Sequence, residues 1–279
     1  MISPVKTPVP ENAILNRQPS PDKPPHMPVR VTQYFRRKCT WMRLLAILLL
    51  VACAPVMLLA MLLVKLTSPG PALFRQTRLG KEGQPFQLLK IRTMYRDAEK
   101  LSGPVLCQPR DSRITPMGRL LRFLHLDELP QLINVVRGEM CLVGPRPERP
   151  EIIDRNRLAD IVPGFHERTK VLPGVTGLAQ INLPADQTAE CVIHKVKLDL
   201  EYIASANVSL DFRILACTAM RMVGIRHGRA VKLFGLSRAT GLSVRQRLTH
   251  QGNSRPHGRL RHDHYDDSNR QPNSPAALA

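Results

Sequence analysis

The sequence predicts an α+β protein, mostly helical, in which an apolar helix associated with a membrane precedes a small folded domain. An uncharged apolar run covers 44–64, and short apolar runs broken by Gly and Pro follow over 66–224. Within this second part, apolar residues recur at helical spacing. With 43% apolar residues the chain can bury a core, so a wholly disordered protein is excluded.

The two ends of the chain differ in composition from the middle. Residues 1–35 contain eight of the 25 prolines and few large apolar side chains, which predicts a disordered Pro-rich arm. Residues 225–279 lose the apolar pattern and contain five of the nine histidines among many arginines. They are predicted to form a disordered, basic, His-containing tail.

The net charge of +19 implies a polyanionic partner, which could be nucleic acid, an anionic membrane surface or a phosphorylated substrate. No helix-turn-helix, RNP-like or zinc-finger signature is present, and Tyr and Trp are scarce. Nucleic acid is therefore not expected as a partner. None of the six cysteines forms a CxxC pair, which indicates free thiols in a reducing compartment.

The segment 36–65 is predicted to be the membrane helix. Its 21 uncharged residues from Leu44 to Val64 would cover about 30 Å as a helix, the thickness of the hydrocarbon core. Pro55 removes a backbone hydrogen bond near the middle, and both flanks are basic, which keeps both in the cytoplasm. These two features favour a re-entrant hairpin that breaks at Pro55; a single spanning helix is the alternative.

Residues 66–224 are the stretch predicted to fold into a domain. Two short runs within 73–94 predict a hairpin with its turn near Gly80–Gly83. Apolar residues at positions 117, 120, 121 and 124, then 129, 132, 133 and 136, predict helices. A second amphipathic stretch over 210–223 could pack on the core or lie in the headgroup layer of a membrane.

An adjacent acidic pair, Asp127 and Glu128, lies within the helical pattern. By spacing alone, this pair fits a solvated acidic turn, or ion-pair partners for Arg119 and Arg122 across helical turns. Two neighbouring carboxylates beside a diphosphate can also hold Mg²⁺. A carboxylate can act as a nucleophile as well.

Three basic residues suit anionic substrates. Lys90 and Arg92 alternate along the second predicted strand, so they should point to one face. Arg146 lies between Pro145 and Pro147, in a rigid loop where a guanidinium can bind a phosphate through two hydrogen bonds. No Walker loop and no GxGxxG motif is present, so a phosphate cradle of either type is excluded.

Five motifs in a fixed order carry a resemblance to a known family. The chain resembles the bacterial sugar transferases, which are monotopic polyprenyl-phosphate phosphoglycosyl transferases, over about 44–224. The motifs are LLKIRTM (88–94), DSRITPMGRLLR (111–122), LDELPQLINVVRGEMCLVGPRPE (126–148), PGVTGLAQIN (173–182) and KLDLEYI (197–203).

The resemblance implies a fold and a reaction. The fold would be a re-entrant membrane hairpin followed by a small cytoplasmic catalytic domain with interfacial amphipathic helices. Such enzymes transfer a sugar-1-phosphate from a UDP-sugar to polyprenyl phosphate, usually undecaprenyl phosphate, and release UMP. This is the first step of exopolysaccharide, O-antigen or glycan assembly, at the cytoplasmic face of the bacterial inner membrane.

The resemblance also implies roles for the candidate residues. Asp127 would be the nucleophile that forms a covalent phosphosugar intermediate. Glu128, with Asp127, would bind Mg²⁺. Arg146 would contact the substrate phosphate or the nucleotide, with Lys90 and Arg92 supporting the site.

Three positions depart from the pattern of the family. Met42 stands where an acidic residue is common, and Ala54 stands before Pro55 where Ser is common. Cys141 occupies a position where Ser is common. The catalytic motif itself is complete, so an active enzyme is expected.

The partners expected are the UDP-sugar, polyprenyl phosphate and membrane lipids, and a homodimer is left open. An alternative function is a non-catalytic membrane scaffold that organises a polysaccharide assembly complex. The sequence does not identify the sugar.

Overall fold

A computed structural model describes residues 31–96, 98, 111–155, 157–183, 189–225 and 227–238. The predicted arm up to residue 30 and the predicted tail from residue 239 lie outside the described residues. The described chain is mostly helical, with two small two-stranded sheets. This confirms the predicted mainly helical α+β class.

The first helix, α1, covers Tyr34–Thr67. Among the described residues it is the only helix long and apolar enough to cross a membrane, with a mean hydropathy of 3.0 over its most apolar stretch. Pro55 lies inside this helix and does not interrupt it. The structure therefore does not show the predicted break of the helix at Pro55, and it does not show a re-entrant membrane hairpin.

Only the two ends of α1 pack closely against the rest of the protein. Its buried residues are Phe35, Lys38, Met42, Ala46, Ala60 and Val64. Between Ala46 and Ala60 the side chains are mostly exposed, including Leu48 and Val51 at 68% and 71%. The middle of the helix thus presents a continuous apolar surface that lacks a protein partner within the described residues.

The β-hairpin predicted within residues 73–94 is confirmed. Strands β1 (Leu73–Leu79) and β2 (Pro85–Ile91) pair antiparallel, with Leu73 opposite Ile91 and Leu79 opposite Pro85. The turn contains a short 3-10 helix, Lys81–Gly83, in which Glu82 and Gly83 have positive φ angles. Strand β2 buries Leu88, Leu89 and Ile91, which fixes the position of Lys90 between them.

The acidic pair lies between two helices rather than within one. Helix α2 (Pro116–Phe123) begins at Thr115, whose hydroxyl accepts a hydrogen bond from the Gly118 amide at 2.9 Å. A 3-10 helix, Leu126–Glu128, then leads into α3 (Gln131–Arg137), which ends at Gly138 in the left-handed conformation. Leu121 is buried whereas Leu120 and Leu124 are exposed, so only part of this apolar pattern faces the core.

A short parallel sheet fixes the loop that carries Arg146. Strand β3 (Cys141–Val143) pairs with β4 (Gly174–Thr176), and Gly174 donates to the Pro145 carbonyl at 2.8 Å. A Cβ atom on Gly174 would lie 2.0 Å from the Gly144 nitrogen. The two backbones can approach this closely only because both residues are glycine.

The remaining helices cover the sheet and the end of α1. The described chain continues through α4 (Pro150–Arg155), α5 (Leu158–Ile161), the 3-10 helix His166–Lys170, α6 (Leu178–Asn182), α7 (Ala189–Ser205), α8 (Val208–Met222) and α9 (His227–Leu233). Helix α9 and the residues after it bury Ala230, Val231 and Leu236 in the main core. The tail predicted to be disordered from residue 225 therefore differs from the structure up to residue 238, because these apolar side chains pack on the domain.

A buried polar cluster attaches the start of α1 to this core. Lys38 Nζ donates to the Val143 carbonyl at 2.9 Å and forms an ion pair with Asp211 at 3.2 Å. Tyr202 and Tyr34 each donate a hydroxyl hydrogen bond of 2.6 Å to the Asp211 carboxylate. Lys38 also contacts the Tyr202 hydroxyl. One lysine thus joins α1 to β3, α7 and α8.

Replacing Lys38 by Met is expected to lower the free energy of unfolding by about 3–5 kcal/mol, because Asp211 would keep its buried charge without a cationic partner. Denaturant titration of the protein in detergent micelles measures the change. The exposed Arg36 is the matched control, and Arg36→Met should change stability by less than about 0.5 kcal/mol. The double variant Lys38→Met/Asp211→Asn should recover part of the loss, and no recovery would contradict the assignment of the loss to an unpaired charge.

Candidate active site

The Glu128 carboxylate is the centre of a charged group formed by three separate segments. Lys90 Nζ, from β2, donates to Glu128 Oε1 at 2.7 Å. Arg146 Nη2, from the loop after β3, donates to the same oxygen at 3.3 Å. The structure therefore brings together Glu128, Lys90 and Arg146, three of the residues that the sequence singled out.

Asp127 lies beside this group and is buried, with 8% of the residue exposed. Burial raises its pKa, and the negative charge of Glu128 acts in the same direction. The positive charges of Lys90 and Arg122 oppose this rise. Asp127 is thus a poorly solvated carboxylate whose charge depends on two neighbouring cations.

Glu128 has the opposite character. Burial alone would raise its pKa, but the charges of Lys90 and Arg146 and their hydrogen bonds outweigh burial and lower it. Burial lowers the pKa of Lys90, although the charge of Glu128 acts in the opposite direction. The two adjacent carboxylates therefore differ in environment: Glu128 is held ionised by two partners, and Asp127 is destabilised as an anion.

Asn134 positions the acidic pair against β2. Its side chain, fully buried, accepts from the Leu89 amide at 3.0 Å and donates to the Gln87 carbonyl at 2.7 Å. These bonds attach α3 to the backbone next to Lys90. At the other end of the pair, His125 has a φ of 55°, which turns the chain sharply from α2 into the 3-10 helix.

A second ion-pair network supports the loop that carries Arg146. Arg168 Nη2 donates to the Arg146 carbonyl at 2.8 Å and pairs with Asp199 at 2.6 Å. Its Nη1 donates to Glu148 at 3.2 Å, and Lys195 pairs with the same carboxylate at 2.6 Å. Burial alone would raise the pKa of Glu148, but Lys195 and Arg168 lower it to about 2. This network is mostly buried, so the loop is held by charge-assisted hydrogen bonds.

Arg92, predicted to support the site, has a different environment. Its guanidinium donates to the Ser68 carbonyl at 2.8 Å, to the Ser68 hydroxyl at 2.8 Å and to the Pro69 carbonyl at 2.7 Å. Strand β2 ends at Ile91, so Lys90 and Arg92 do not share a strand face as expected. The described contacts of Arg92 hold the end of α1 and the turn that follows it.

Arg122 is a site residue whose importance the sequence did not establish. Its Nε donates to the Thr93 hydroxyl at 2.8 Å, and its charge lowers the pKa of Asp127. The sequence contained a signal for it, because Arg122 was a candidate partner of the acidic pair across helical turns. Among the supporting residues, Lys195 and Asp199 are four positions apart on α7, but Glu148 and Arg168 lie too far from them in the chain for spacing to connect them.

The two carboxylates suit a hard divalent cation. Oxygen ligands and a charge that stays negative are what Mg²⁺ requires, and Lys90 and Arg146 keep Glu128 ionised. Within the described part of the chain, no three His, Cys, Asp or Glu side chains gather in one place. A Mg²⁺ ion at Asp127 and Glu128 would therefore take its other ligands from phosphate oxygens and water.

An exposed apolar surface lies next to the acidic pair. Leu120, Phe123 and Leu124 are 49%, 78% and 37% exposed, and the 3-10 helix with Asp127 begins two residues after Leu124. Charged groups that suit phosphates and apolar groups that suit hydrocarbon are therefore close together along the chain.

The profile of the family described as "Bacterial sugar transferase" matches residues 33–224. The chain belongs to this family. The match begins just before α1 and ends just after α8, so it covers the apolar helix and the domain that holds the site.

Curated relatives share the same region. A protein of Caulobacter vibrioides named UDP-glucose:undecaprenyl-phosphate glucose-1-phosphate transferase is 44% identical over 177 residues, which are 62% of this chain and 64% of that protein. An Escherichia coli protein of the same name is 40% identical over 179 residues, 63% of this chain and 38% of the relative. An Aeromonas hydrophila protein named UDP-N-acetylgalactosamine-undecaprenyl-phosphate N-acetylgalactosaminephosphotransferase is 36% identical over 172 residues. These residues are 62% of this chain and 40% of that protein. The chain thus spans less than two thirds of the length of each of these proteins.

Replacing Arg92 by Met is expected to lower the free energy of unfolding by about 2–3 kcal/mol, because the buried Ser68 and the Pro69 carbonyl, just after α1, would lose a charged donor. Denaturant titration in detergent measures this loss. The exposed Arg75 on β1 is the matched control, since Arg75→Met removes the same group from the surface. Equal stability of the two variants would contradict the structural role assigned to Arg92.

Proposed function

We propose that this protein transfers a sugar-1-phosphate from a UDP-sugar to a polyprenyl phosphate through a covalent Asp127 intermediate and releases UMP. The observation that carries this proposal is the position of a buried, destabilised carboxylate, Asp127, beside Glu128 with its two cationic partners. The names of the curated relatives support the reaction class.

In the first step an Asp127 carboxylate oxygen attacks the phosphorus that carries the sugar. A phosphorus–oxygen bond to Asp127 forms, and the bond to the uridine-bearing phosphate breaks, so UMP leaves with the bridging oxygen. Burial raises the pKa of Asp127, and a poorly solvated carboxylate of raised basicity is a better nucleophile.

In the second step an oxygen of the polyprenyl phosphate attacks the same phosphorus. The bond to Asp127 breaks, the free carboxylate returns, and a polyprenyl diphosphate sugar forms. The attacking phosphate is already anionic, so this step needs no strong general base. Two sequential displacements are the pattern expected of covalent catalysis.

The cations of the site would bind the diphosphate and balance its charge. Lys90 and Arg146 are both held beside the acidic pair by Glu128, and an ammonium and a guanidinium group in these positions would bind phosphate oxygens. Mg²⁺ bound by Asp127 and Glu128 would neutralise charge on the diphosphate and on the departing UMP. Pairing with Glu128 keeps the two cationic side chains in place before the substrate arrives.

The acceptor is a lipid, and the apolar surfaces of the protein suit it. The exposed side chains Leu120, Phe123 and Leu124 would lie in the membrane interface, with Asp127 at the level of the headgroups. Helix α8 would lie there as well, since its Phe212 is 54% exposed and Val223, the residue that follows the helix, is 81% exposed. This arrangement would present the lipid phosphate to the site without removing its chain from the membrane.

The contacts of α1 support the re-entrant arrangement. Ala46 belongs to the same apolar cluster as Leu88 of β2, and Ala60 belongs to the same cluster as Ile91, three residues further along that strand. A strand advances about 3.3 Å per residue, so the two clusters that contain the ends of the apolar run include β2 residues only about 10 Å apart, much less than the hydrocarbon thickness of about 30 Å. We therefore favour a helix that enters the membrane and returns, with the domain on the cytoplasmic face of the inner membrane.

Replacing Asp127 by Asn is expected to lower turnover by about 10⁴-fold, because the amide cannot form the covalent intermediate. The measurement is UMP release from a panel of UDP-sugars in membranes with Mg²⁺ and undecaprenyl phosphate. UDP-glucose is the first donor to test, since several relatives are named for it. Asp154→Asn is the matched control, because Asp154 is an exposed acid on α4.

The same assay without acceptor distinguishes covalent catalysis from direct transfer. A covalent intermediate predicts a burst of UMP approaching one equivalent per enzyme, and Asp127→Asn should abolish it. Direct transfer predicts that no UMP is released without acceptor. Chelation of divalent ions should stop the burst and added Mg²⁺ should restore it. Full polysaccharide production by the Asp127→Asn variant would favour the scaffold instead.

The re-entrant arrangement predicts that cysteines introduced at Thr32 and Lys65 react with a membrane-impermeant maleimide from the same side. Both positions are exposed and flank the apolar run. Inside-out vesicles should label both, and intact spheroplasts should label neither. Val51→Cys is the control. This position would be surrounded by lipid, so its thiol should react with the maleimide only after the membrane is solubilised. Labelling of the two flanks from opposite sides would show a spanning helix.

A further inference from the structure

Helix α9 and the residues after it extend the domain beyond the part that matches the family. The family profile ends at residue 224, and α9 follows it. Arg213 of α8 donates to the Phe234 carbonyl at 2.8 Å, and Asn182 of α6 donates to the Leu236 carbonyl at 3.0 Å. This added segment is therefore held against the domain by hydrogen bonds as well as by its apolar residues.

The two faces of α9 differ in character. One face is buried in the main core through Ala230, whereas Arg229, Lys232 and Leu233 are exposed, Leu233 at 68%. These three positions are three and four residues apart, so their side chains share the outer face of the helix. The sequence 221–238 contains no acidic residue. The outer face of α9 thus combines two cationic groups with one large apolar group.

The end of α9 lies close to the place where the apolar run of α1 begins. Trp41, just before that run, stacks on Phe212 of α8 with ring centroids 5.5 Å apart. The residue after Phe212 is Arg213, which donates to Phe234, the neighbour of Leu233 in the chain. Trp41 and Phe234 also pack against the same core cluster. Aromatic side chains beside a membrane helix lie at the level of the headgroups, and this places the end of α9 near that level.

We propose that the outer face of α9 binds the headgroups of anionic phospholipids. Arg229 and Lys232 would bind lipid phosphates, and Leu233 would enter the boundary between headgroups and acyl chains. An acidic protein surface would pair with the two cations, but it would not offer hydrocarbon to Leu233 or to Val223, which is 81% exposed. The proposal rests on the proposed membrane position of α1 and does not depend on the transfer reaction.

The contact would give the domain a second attachment to the membrane surface. A basic residue close to an anionic surface strengthens binding by about fivefold, and α9 presents two such residues on one face. One helix in the bilayer leaves the tilt of the attached domain open, whereas two separate attachments define an orientation. The lipid contact of α9 would therefore restrict how the domain tilts on the membrane.

The test uses the full-length protein in nanodiscs of phosphatidylcholine, either alone or mixed with phosphatidylglycerol. Acetic anhydride, an uncharged reagent, acetylates exposed lysines, and mass spectrometry measures the rate at Lys232. Acetylation is expected to be about fivefold slower with phosphatidylglycerol, because the lipid covers the amine, and high salt should reduce the difference. Lys197, which is exposed on α7, is the internal control; an equal change at Lys197 would show a general effect of the lipid and overturn the proposal.

A double variant makes the test specific. Arg229→Gln/Leu233→Ser keeps Lys232 and should lose most of the difference between the two lipids. Phe74→Ser/Arg75→Gln is the matched control, since it removes one exposed apolar and one exposed cationic side chain from β1. This control should keep the full difference, and thermal unfolding checks that both variants are folded.

A phospholipid with a diazirine in its acyl chain separates failure of this proposal from failure of the membrane position of α1. Crosslinks to the apolar run of α1 and to Leu233 are expected. Crosslinks to α1 without any to 227–238 would overturn the lipid contact alone, and the absence of both would overturn both.

Two further results would also overturn the proposal. One is acetylation of Lys232 at the same rapid rate in the two lipids. The other is protection of Lys232 that is equal in both lipids and disappears with one chain per nanodisc, which would assign the face to a second copy of the chain.

Discussion

The hydrogen bonds from Lys90 and Arg146 to a single oxygen of Glu128 hold the candidate site together. They join β2, the 3-10 helix and the loop after β3. Both cations are partly withdrawn from water, so each would be costly to bury without a carboxylate partner. The arrangement leaves Asp127, the adjacent carboxylate, without an equivalent ion pair among its described contacts.

This difference between two neighbouring acids is what gives the site its chemical character. For Glu128, attraction to Lys90 and Arg146 outweighs desolvation and lowers the pKa. For Asp127, desolvation prevails and raises the pKa. Adjacent side chains of a 3-10 helix point about 120° apart, so Asp127 and Glu128 face different surroundings after the sharp turn at His125. Glu128 can then hold Lys90 and Arg146 in place, while the Asp127 carboxylate remains available to react.

Buried charged side chains also attach α1 to the domain. The exposed face of its apolar middle, which includes Leu48 and Val51, has no described protein partner, and each end of the helix is held by buried polar contacts. Lys38, with Asp211, attaches the first end to β3 and α8, and Arg92 holds the last turn through Ser68 and Pro69. Buried charge-assisted hydrogen bonds are directional, so they set the position of a helix whose own surface is suited only to hydrocarbon.

The sequence by itself determined the elements that depend on local pattern. Composition and periodicity were sufficient for the apolar helix and for the β-hairpin formed by β1 and β2, because these signals arise from neighbouring residues. The roles expected of Asp127 and Glu128 came from the resemblance of the motifs to a family. Only the tertiary structure decided that Lys90 meets Glu128 whereas Arg92 caps α1, since strand alternation predicts a shared face only within the strand, and β2 ends between them. The same holds for α9, whose apolar residues are too few to show a period but find a core to pack on. It holds also for the contact of Met42 with Cys141, 99 residues apart, because long-range contacts are set by packing that no local spacing records.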